Sequence, residues 1–129
     1  MPHATTQRRI LIVDDNRDAA DLLAQVLALY GHVTEVAYDG HAGLAAVERF
    51  CPDLLFLDIG MPQLDGYQVA ARIRQMRHVP QPLLVAFTAW SDDDAKARVI
   101  AAGFDLHLTK PADFDVLLET VLKSPPVAL

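Results

Sequence analysis

The stretch Ile10-Leu11-Ile12-Val13-Asp14-Asp15 runs four apolar side chains without a break into two adjacent carboxylates. An unbroken apolar run of this length predicts a strand covered on both faces, as in a parallel sheet. The pattern returns three times. Leu54-Leu55-Phe56-Leu57 runs into Asp58, Leu83-Leu84-Val85-Ala86-Phe87 into Thr88, and Leu106-His107-Leu108-Thr109 into Lys110. The last alternates and predicts a strand only half covered. A fifth segment, Val33-Thr34-Glu35-Val36-Ala37-Tyr38, is more polar, as an edge strand should be.

Helical periods lie between these strands. Asp21 to Tyr30 sets Leu22, Leu23, Val26, Leu27 and Tyr30 on one stripe, with Gly31 in place to close the helix in a left-handed conformation. Asp39-Gly40 opens a second helix carrying Leu44, Val47 and Phe50. Asp65-Gly66 opens a third, with Tyr67, Val69, Ile73 and Met76 at helical spacing. Ser91-Asp92-Asp93-Asp94 reads as a capping box for a fourth, which carries Ala95, Val99 and Ala102 to Gly103. A fifth, from Asp113, sets Phe114, Leu117, Leu118, Val121 and Leu122 on one face, and Ser124-Pro125-Pro126 stops it.

Five strand–helix pairs, with no repeat, low-complexity tract or internal linker, predict one doubly wound α/β domain built on a parallel sheet. Residues 1–7 and 124–129 fall outside it as tails, leaving the domain at 8–123. Ligands of such sheets sit at the carboxyl edge of the strands, beside the reversal of strand order. Asp14, Asp15, Asp58, Thr88 and Lys110 each close a strand. They therefore gather on one edge, although 96 positions separate the first from the last.

Composition fits this reading and excludes others. At 129 residues and 52% hydrophobic, the chain is one domain that buries roughly two-thirds of its unfolded surface without staples. A net charge of −6 disfavours direct nucleic-acid binding and suits cations and basic partners. The lone cysteine, Cys51, excludes an internal disulfide and any Cys-x-x-Cys site, which points to the reducing cytoplasm. No run approaches the ~18 apolar residues of a spanning helix, so no membrane insertion is expected. The five histidines never come closer than nine positions, so no helix carries a His-x-x-x-His zinc pair. No Gly-x-Ser-x-Gly elbow, Gly-x-Gly-x-x-Gly turn or Walker loop occurs. Gly40-His41-Ala42-Gly43 has the spacing of an RNA-binding Gly-x-x-Gly loop but lacks its basic flanks.

The clustered charges define the chemistry. Two carboxylates ~4 Å apart repel by about 4 kcal/mol at an effective dielectric near 20, and three close ones need a compensating cation. Lys110 supplies one positive charge and leaves a pocket near −2. A hard divalent ion suits the remainder, and Mg²⁺ takes one or two carboxylates while leaving coordination for a phosphate. A carboxylate facing a metal-bound phosphoryl group, here Asp58, can act as nucleophile and form an aspartyl phosphate. Thr88 offers a hydroxyl and Lys110 a charge to the equatorial oxygens.

Asp14-Asp15, then Leu57-Asp58-Ile59-Gly60-Met61-Pro62 with Asp65-Gly66, then Phe87-Thr88-Ala89 and Lys110-Pro111 resemble the receiver domain of two-component response regulators, in order and spacing over residues 8 to 123. The resemblance implies a CheY-like, flavodoxin-like sheet of order 2-1-3-4-5 with five helices. It implies Asp58 as phosphoacceptor, Asp14, Asp15, Asp58 and the main-chain carbonyl of Gly60 around Mg²⁺, and a cis bond before Pro111. The partners implied are a histidine kinase or histidine phosphotransfer protein as donor and a downstream protein as target. The protein would then be a signalling domain rather than an enzyme, with only self-directed phosphate chemistry. Two readings compete: a receiver fold kept as an unphosphorylated binding module, and an aspartyl-nucleophile phosphatase. The phosphatase needs a second acid two residues after the nucleophile, where Gly60 stands. The short C-terminal stretch after residue 123 leaves a stand-alone regulator and a piece of a hybrid kinase or larger regulator both open.

Three positions depart from the family pattern. Gly60, two after Asp58, and Trp90, two after Thr88, stand at positions that in receivers line the approach of the hydrolytic water, and neither offers a polar side chain to orient it. His107 stands where the family usually carries a rotamer-switching Tyr or Phe, and an imidazole adds a charge that changes between pH 5 and 8.

Overall fold

The computed structural model describes residues 7–123. The chain alternates strictly: β1 (Arg9–Val13), α1 (Arg17–Leu29), β2 (Val33–Ala37), α2 (Gly40–Phe50), β3 (Leu54–Leu57), α3 (Gly66–Gln75), β4 (Leu83–Thr88), α4 (Asp93–Ala102), β5 (Leu106–Thr109) and α5 (Phe114–Lys123). All strands pair in parallel in the order β2-β1-β3-β4-β5. The reversal lies at β1, which β2 flanks on one side and β3 on the other. The expected tails lie outside the described residues apart from Gln7, whose amide donates to the Gly31 carbonyl at 3.1 Å.

The unbroken apolar runs are explained by burial on both sheet faces. Leu11, Val13, Leu55, Leu57, Leu84 and Ala86 pack with Val47 and Phe50 of α2, Val69 and Ile73 of α3 and Val99 of α4. Their alternate neighbours Ile10, Ile12, Leu54, Phe56 and Val85 pack with Leu23 and Leu27 of α1 and Leu117 and Val121 of α5. The outer strands β2 and β5 are covered only in part, as their polar composition predicts. Among the described residues no helix is long and apolar enough to cross a membrane.

Three helix starts differ from the periodicity reading. Helix α1 begins at Arg17, not Asp21, because the Asn16 side chain caps it by accepting the Ala19 N–H. Its first turn opens on Arg17 and Asp18 and carries no large apolar side chain. Its buried stripe is Ala20, Leu23 and Leu27, while Leu22 and Tyr30 face solvent. In α4 the cap is Asp92, not Ser91: its carboxylate accepts the Ala95 N–H at 2.8 Å, which places Ala95 and Val99 inward. In α5 the helix starts at Phe114, one residue after Asp113, and Phe114 and Leu122 are exposed while Leu117 and Val121 are buried.

At the edge of the sheet opposite the acidic residues, Arg74 of α3 ties three loops together. Its Nε donates to the Gly103 carbonyl (2.8 Å), Nη1 to Pro82 and Gln81 (both 3.0 Å), and Nη2 to Asp105 (2.7 Å). The same Asp105 oxygen accepts the Leu84 N–H at the start of β4. Arg74→Met should therefore destabilise the fold by about 2 kcal/mol in urea denaturation, because the side chain's partners lose charge-assisted bonds. An unchanged midpoint would show that water replaces the guanidinium at no cost.

Candidate functional site

The carboxyl ends of β1, β3, β4 and β5 deliver the residues that the strand pattern singled out. Asp14 follows β1 and is buried; its N–H donates to the Ala37 carbonyl of β2, which fixes the backbone at the reversal point. One carboxylate oxygen accepts the Asn16 N–H at 3.0 Å and the other accepts Lys110 Nζ at 2.8 Å. Asp58 follows β3 and anchors its N–H on the Val13 carbonyl. Its Oδ1 lies 3.5 Å from Lys110 Nζ and 3.4 Å from the Gly60 N–H. Asp15 is exposed at the mouth. Asp14, Asp15 and Asp58 each present an oxygen within 4.8 Å of the others.

The clustered carboxylates of the pocket act on one another. Burial pushes the Asp58 carboxyl up, the Asp14 charge pushes it further, and Lys110 pulls it back only in part, so that it titrates at about 6. Lys110 is held in place from below, with its ammonium 5.1 Å from the centre of the Phe87 ring. The peptide bond from Lys110 to Pro111 is cis, as the resemblance implied.

Thr88, the last residue of β4, is buried at the same edge. Its carbonyl accepts the Lys110 N–H at 2.7 Å and its Oγ1 accepts the Trp90 N–H at 3.2 Å. Thr88 is therefore linked to the pocket through the backbones of Lys110 and Trp90. The Trp90 indole is half exposed and leans over Gly60: a Cβ placed on that glycine would lie 3.3 Å from the ring carbon Cη2. His107 stands outside the carboxylate cluster and binds the Trp90 carbonyl through Nε2 at 3.0 Å.

Two contributors escaped the sequence reading. Asn16 both caps α1 and orients Asp14, and an Asn directly after an Asp pair was the available signal. Phe87, read as a strand residue and quoted in the Phe87-Thr88-Ala89 motif but given no role, supplies the ring beneath Lys110.

Hard carboxylate donors and one lysine on the rim of a parallel sheet make a site for a small, highly charged anion accompanied by a cation. Comparison with known proteins agrees. Residues 10–122 match the response regulator receiver domain, and the chain belongs to that family of two-component signalling domains. It is 35% identical over 107 residues to an uncharacterized 14.6 kDa protein of Leptolyngbya boryana, covering 83% of this chain and 82% of that one. It is 34% identical over 113 residues to the DNA-binding dual master transcriptional regulator RpaA of Synechocystis, covering 88% of this chain. The chain spans only 47% of RpaA's own length. A CheY-like receiver domain from Methanospirillum hungatei superposes with a TM-score of 0.82 at 28% identity, over 90% of this chain and 91% of that one.

Proposed function

We propose that Asp58 accepts a phosphoryl group from the phosphohistidine of a histidine kinase or histidine phosphotransfer protein, and that the resulting acyl phosphate switches the domain toward a downstream protein. The observation that carries this reading is the convergence of three carboxylates from two strands on one lysine from a third. The free, exposed Cys51 and the acidic surface are in keeping with work in the cytoplasm.

The donor set fits Mg²⁺: three carboxylates of hard oxygen character, with Asp58 held above its ordinary range by burial and by the Asp14 charge. Asp14, Asp15, Asp58 and the Gly60 carbonyl would hold the ion, which when bound cancels the mutual repulsion and draws in a phosphoryl oxygen. Asp58 then presents an ionised oxygen to phosphorus; the new O–P bond forms as the donor's P–N bond breaks, and the imidazole nitrogen leaves with the electron pair. Lys110, already bonded to Asp14, stands 3.5 Å from the acceptor oxygen and meets the charge that arrives with the phosphoryl group. The Thr88 hydroxyl accepts from Trp90 and keeps its own proton to donate to that group.

The acyl phosphate should be long-lived, because the indole covers Gly60 and neither residue orients a water. Trp90→Glu should shorten its half-life several-fold, and so should Gly60→Asn, whose Cβ also pushes against the indole. Decay of the phosphorylated protein, followed by intact mass, is the measurement; equal half-lives in all three would refute the shield. The reading as a whole is tested by exposure to acetyl phosphate and Mg²⁺. No incorporated phosphate in the wild-type protein would leave the unphosphorylated binding module in its place.

A further inference from the structure

A buried imidazole fastens the start of β1 to the turn between α1 and β2. The Arg8 N–H donates to His32 Nδ1 at 3.0 Å, and each of the two residues is only 6% exposed. A backbone N–H only donates, so Nδ1 must be bare and the neutral ring carries its hydrogen at Nε2. The turn closes around this bond. The Val33 N–H donates to the Arg8 carbonyl at 2.9 Å, the His32 N–H to the Leu27 carbonyl at 3.3 Å, and the Gln7 amide to the Gly31 carbonyl at 3.1 Å. Gly31 allows the reversal, with φ at +95°. The first pair of the β1–β2 ladder, Arg9 with Val33, follows directly.

A second ring hydrogen has no place in this arrangement. Protonation adds it at Nδ1, where it meets the Arg8 N–H head on, so the bond is lost. It also sets a cation in a buried site, and burial, followed by the Arg8 guanidinium, holds the imidazole below its ordinary 6.5. Charged groups on the adjoining elements are engaged elsewhere. The Arg9 guanidinium lies 4.2 Å from the centre of the Phe50 ring, Asp53 before β3 accepts the Arg9 N–H at 2.9 Å, and Glu35 of β2 pairs with Arg49. Tyr30, at the end of α1, is exposed.

We propose that His32 is an acid-released pin: its neutral ring fastens the start of β1 to the α1–β2 turn, and a proton at Nδ1 expels the ring and unfastens that end of the sheet. Above pH 6.5 the pin is closed. As pH falls below that value the released ring takes up a proton that the seated ring refuses, so release gains about tenfold per pH unit until the seated ring itself titrates. The pin needs no phosphoryl group and lies at the opposite end of the strands from Asp58, so it stands or falls separately from the phosphoacceptor role.

The test uses the full chain carrying Asp58→Asn, which removes a carboxyl that titrates in the same range and leaves the pin as it is in the wild-type protein. NMR of ¹⁵N-labelled protein between pH 5 and 8 follows the His32 ring nitrogens together with hydrogen exchange of the Arg8 amide, corrected for its intrinsic rate. The neutral ring should be the Nε2–H tautomer with a midpoint below 6.5, and Arg8 protection should fall about tenfold per pH unit between 6.5 and that midpoint while the Ile12 amide in mid-strand holds steady. Adding His32→Asn sets a carbonyl oxygen in the place of Nδ1 and cannot titrate, so Arg8 should stay protected throughout. Adding His32→Leu removes the acceptor and should leave Arg8 poorly protected at every pH. An Nδ1–H ring at pH 8, a midpoint at or above 6.5, or Arg8 protection that does not change as the ring titrates overturns the pin, each in the parent protein alone. So does protection that still falls with pH in the His32→Asn protein.

Discussion

Asp58→Asn should take up no phosphoryl group from acetyl phosphate and Mg²⁺ under conditions that load the wild-type protein, and should at the same time be the more stable protein at neutral pH. Loss of loading follows from loss of the nucleophilic oxygen, and intact mass reads it directly. Phosphate incorporated equally by the variant would move the acceptor elsewhere. The gain in stability follows from the raised Asp58 carboxyl, which titrates at about 6 against an ordinary 3.8. Between those values the folded protein holds a proton that the unfolded chain has released. Wild-type stability therefore falls as pH rises through this window, and above pH 6 the folded state bears the full cost of the unwanted charge. Asparagine keeps the shape and lacks the charge. Its advantage should be about 2 kcal/mol at pH 7 without metal, should vanish toward pH 4, and should shrink when Mg²⁺ is added. Thermal unfolding across that pH range with chelator and with Mg²⁺ gives the curve, and a variant no more stable at pH 7 than at pH 4 would show that the pocket tolerates its charges.

Gly66→Ala should be the most damaging small substitution near the pocket. A methyl group there would lie 2.5 Å from the Asp58 carbonyl oxygen and 2.7 Å from the Ile59 Cα, both backbone atoms with nowhere to go. The Gly66 N–H also donates to the Ile59 carbonyl at 3.0 Å, so the start of α3 is drawn against the loop that carries the acceptor. Alanine at a helix start ordinarily stabilises by a fraction of a kcal/mol. Here the overlap outweighs that gain, with an expected net loss of about 2–3 kcal/mol in urea denaturation and slower loading of Asp58, whose backbone must shift. A variant of wild-type stability that loads at the wild-type rate would mean that helix and loop part freely.

These two residues mark the boundary of what the sequence discloses. Asp58 was legible because an apolar strand ends on it, and strand ends in a parallel sheet share an edge. Asp14, Asp15, Thr88 and Lys110 were legible for the same reason, and Lys110 does meet Asp14 across 96 positions. The glycine after Asp65 was read as the opening of α3, but the backbone contact that demands it depends on how closely helix and loop pack. The lean of Trp90 over Gly60 and the bond from His107 to its carbonyl were likewise hidden, since a residue type does not state its rotamer. Helix starts were misplaced where a cap precedes a polar turn, as at Asn16, and the stripe on α1 was drawn too wide: Leu22 and Tyr30 are exposed while Ala20, Leu23 and Leu27 are buried. Arg74 gave no periodic signal: its four acceptors lie in loops scattered between residues 81 and 105.

The salt link from Lys110 to Asp14 also bears on biogenesis. A chain emerging from the ribosome presents its acidic pair early and the ammonium that pairs with Asp14 very late, after all five strands have been made. Nascent fragments ending before β5 thus lack the lysine that pairs with Asp14, and contacts of such long sequence separation form late in folding. The pocket is closed by the residue that follows the last strand to be synthesised, so on the proposed function a truncated or half-folded copy should be mute toward a phosphodonor.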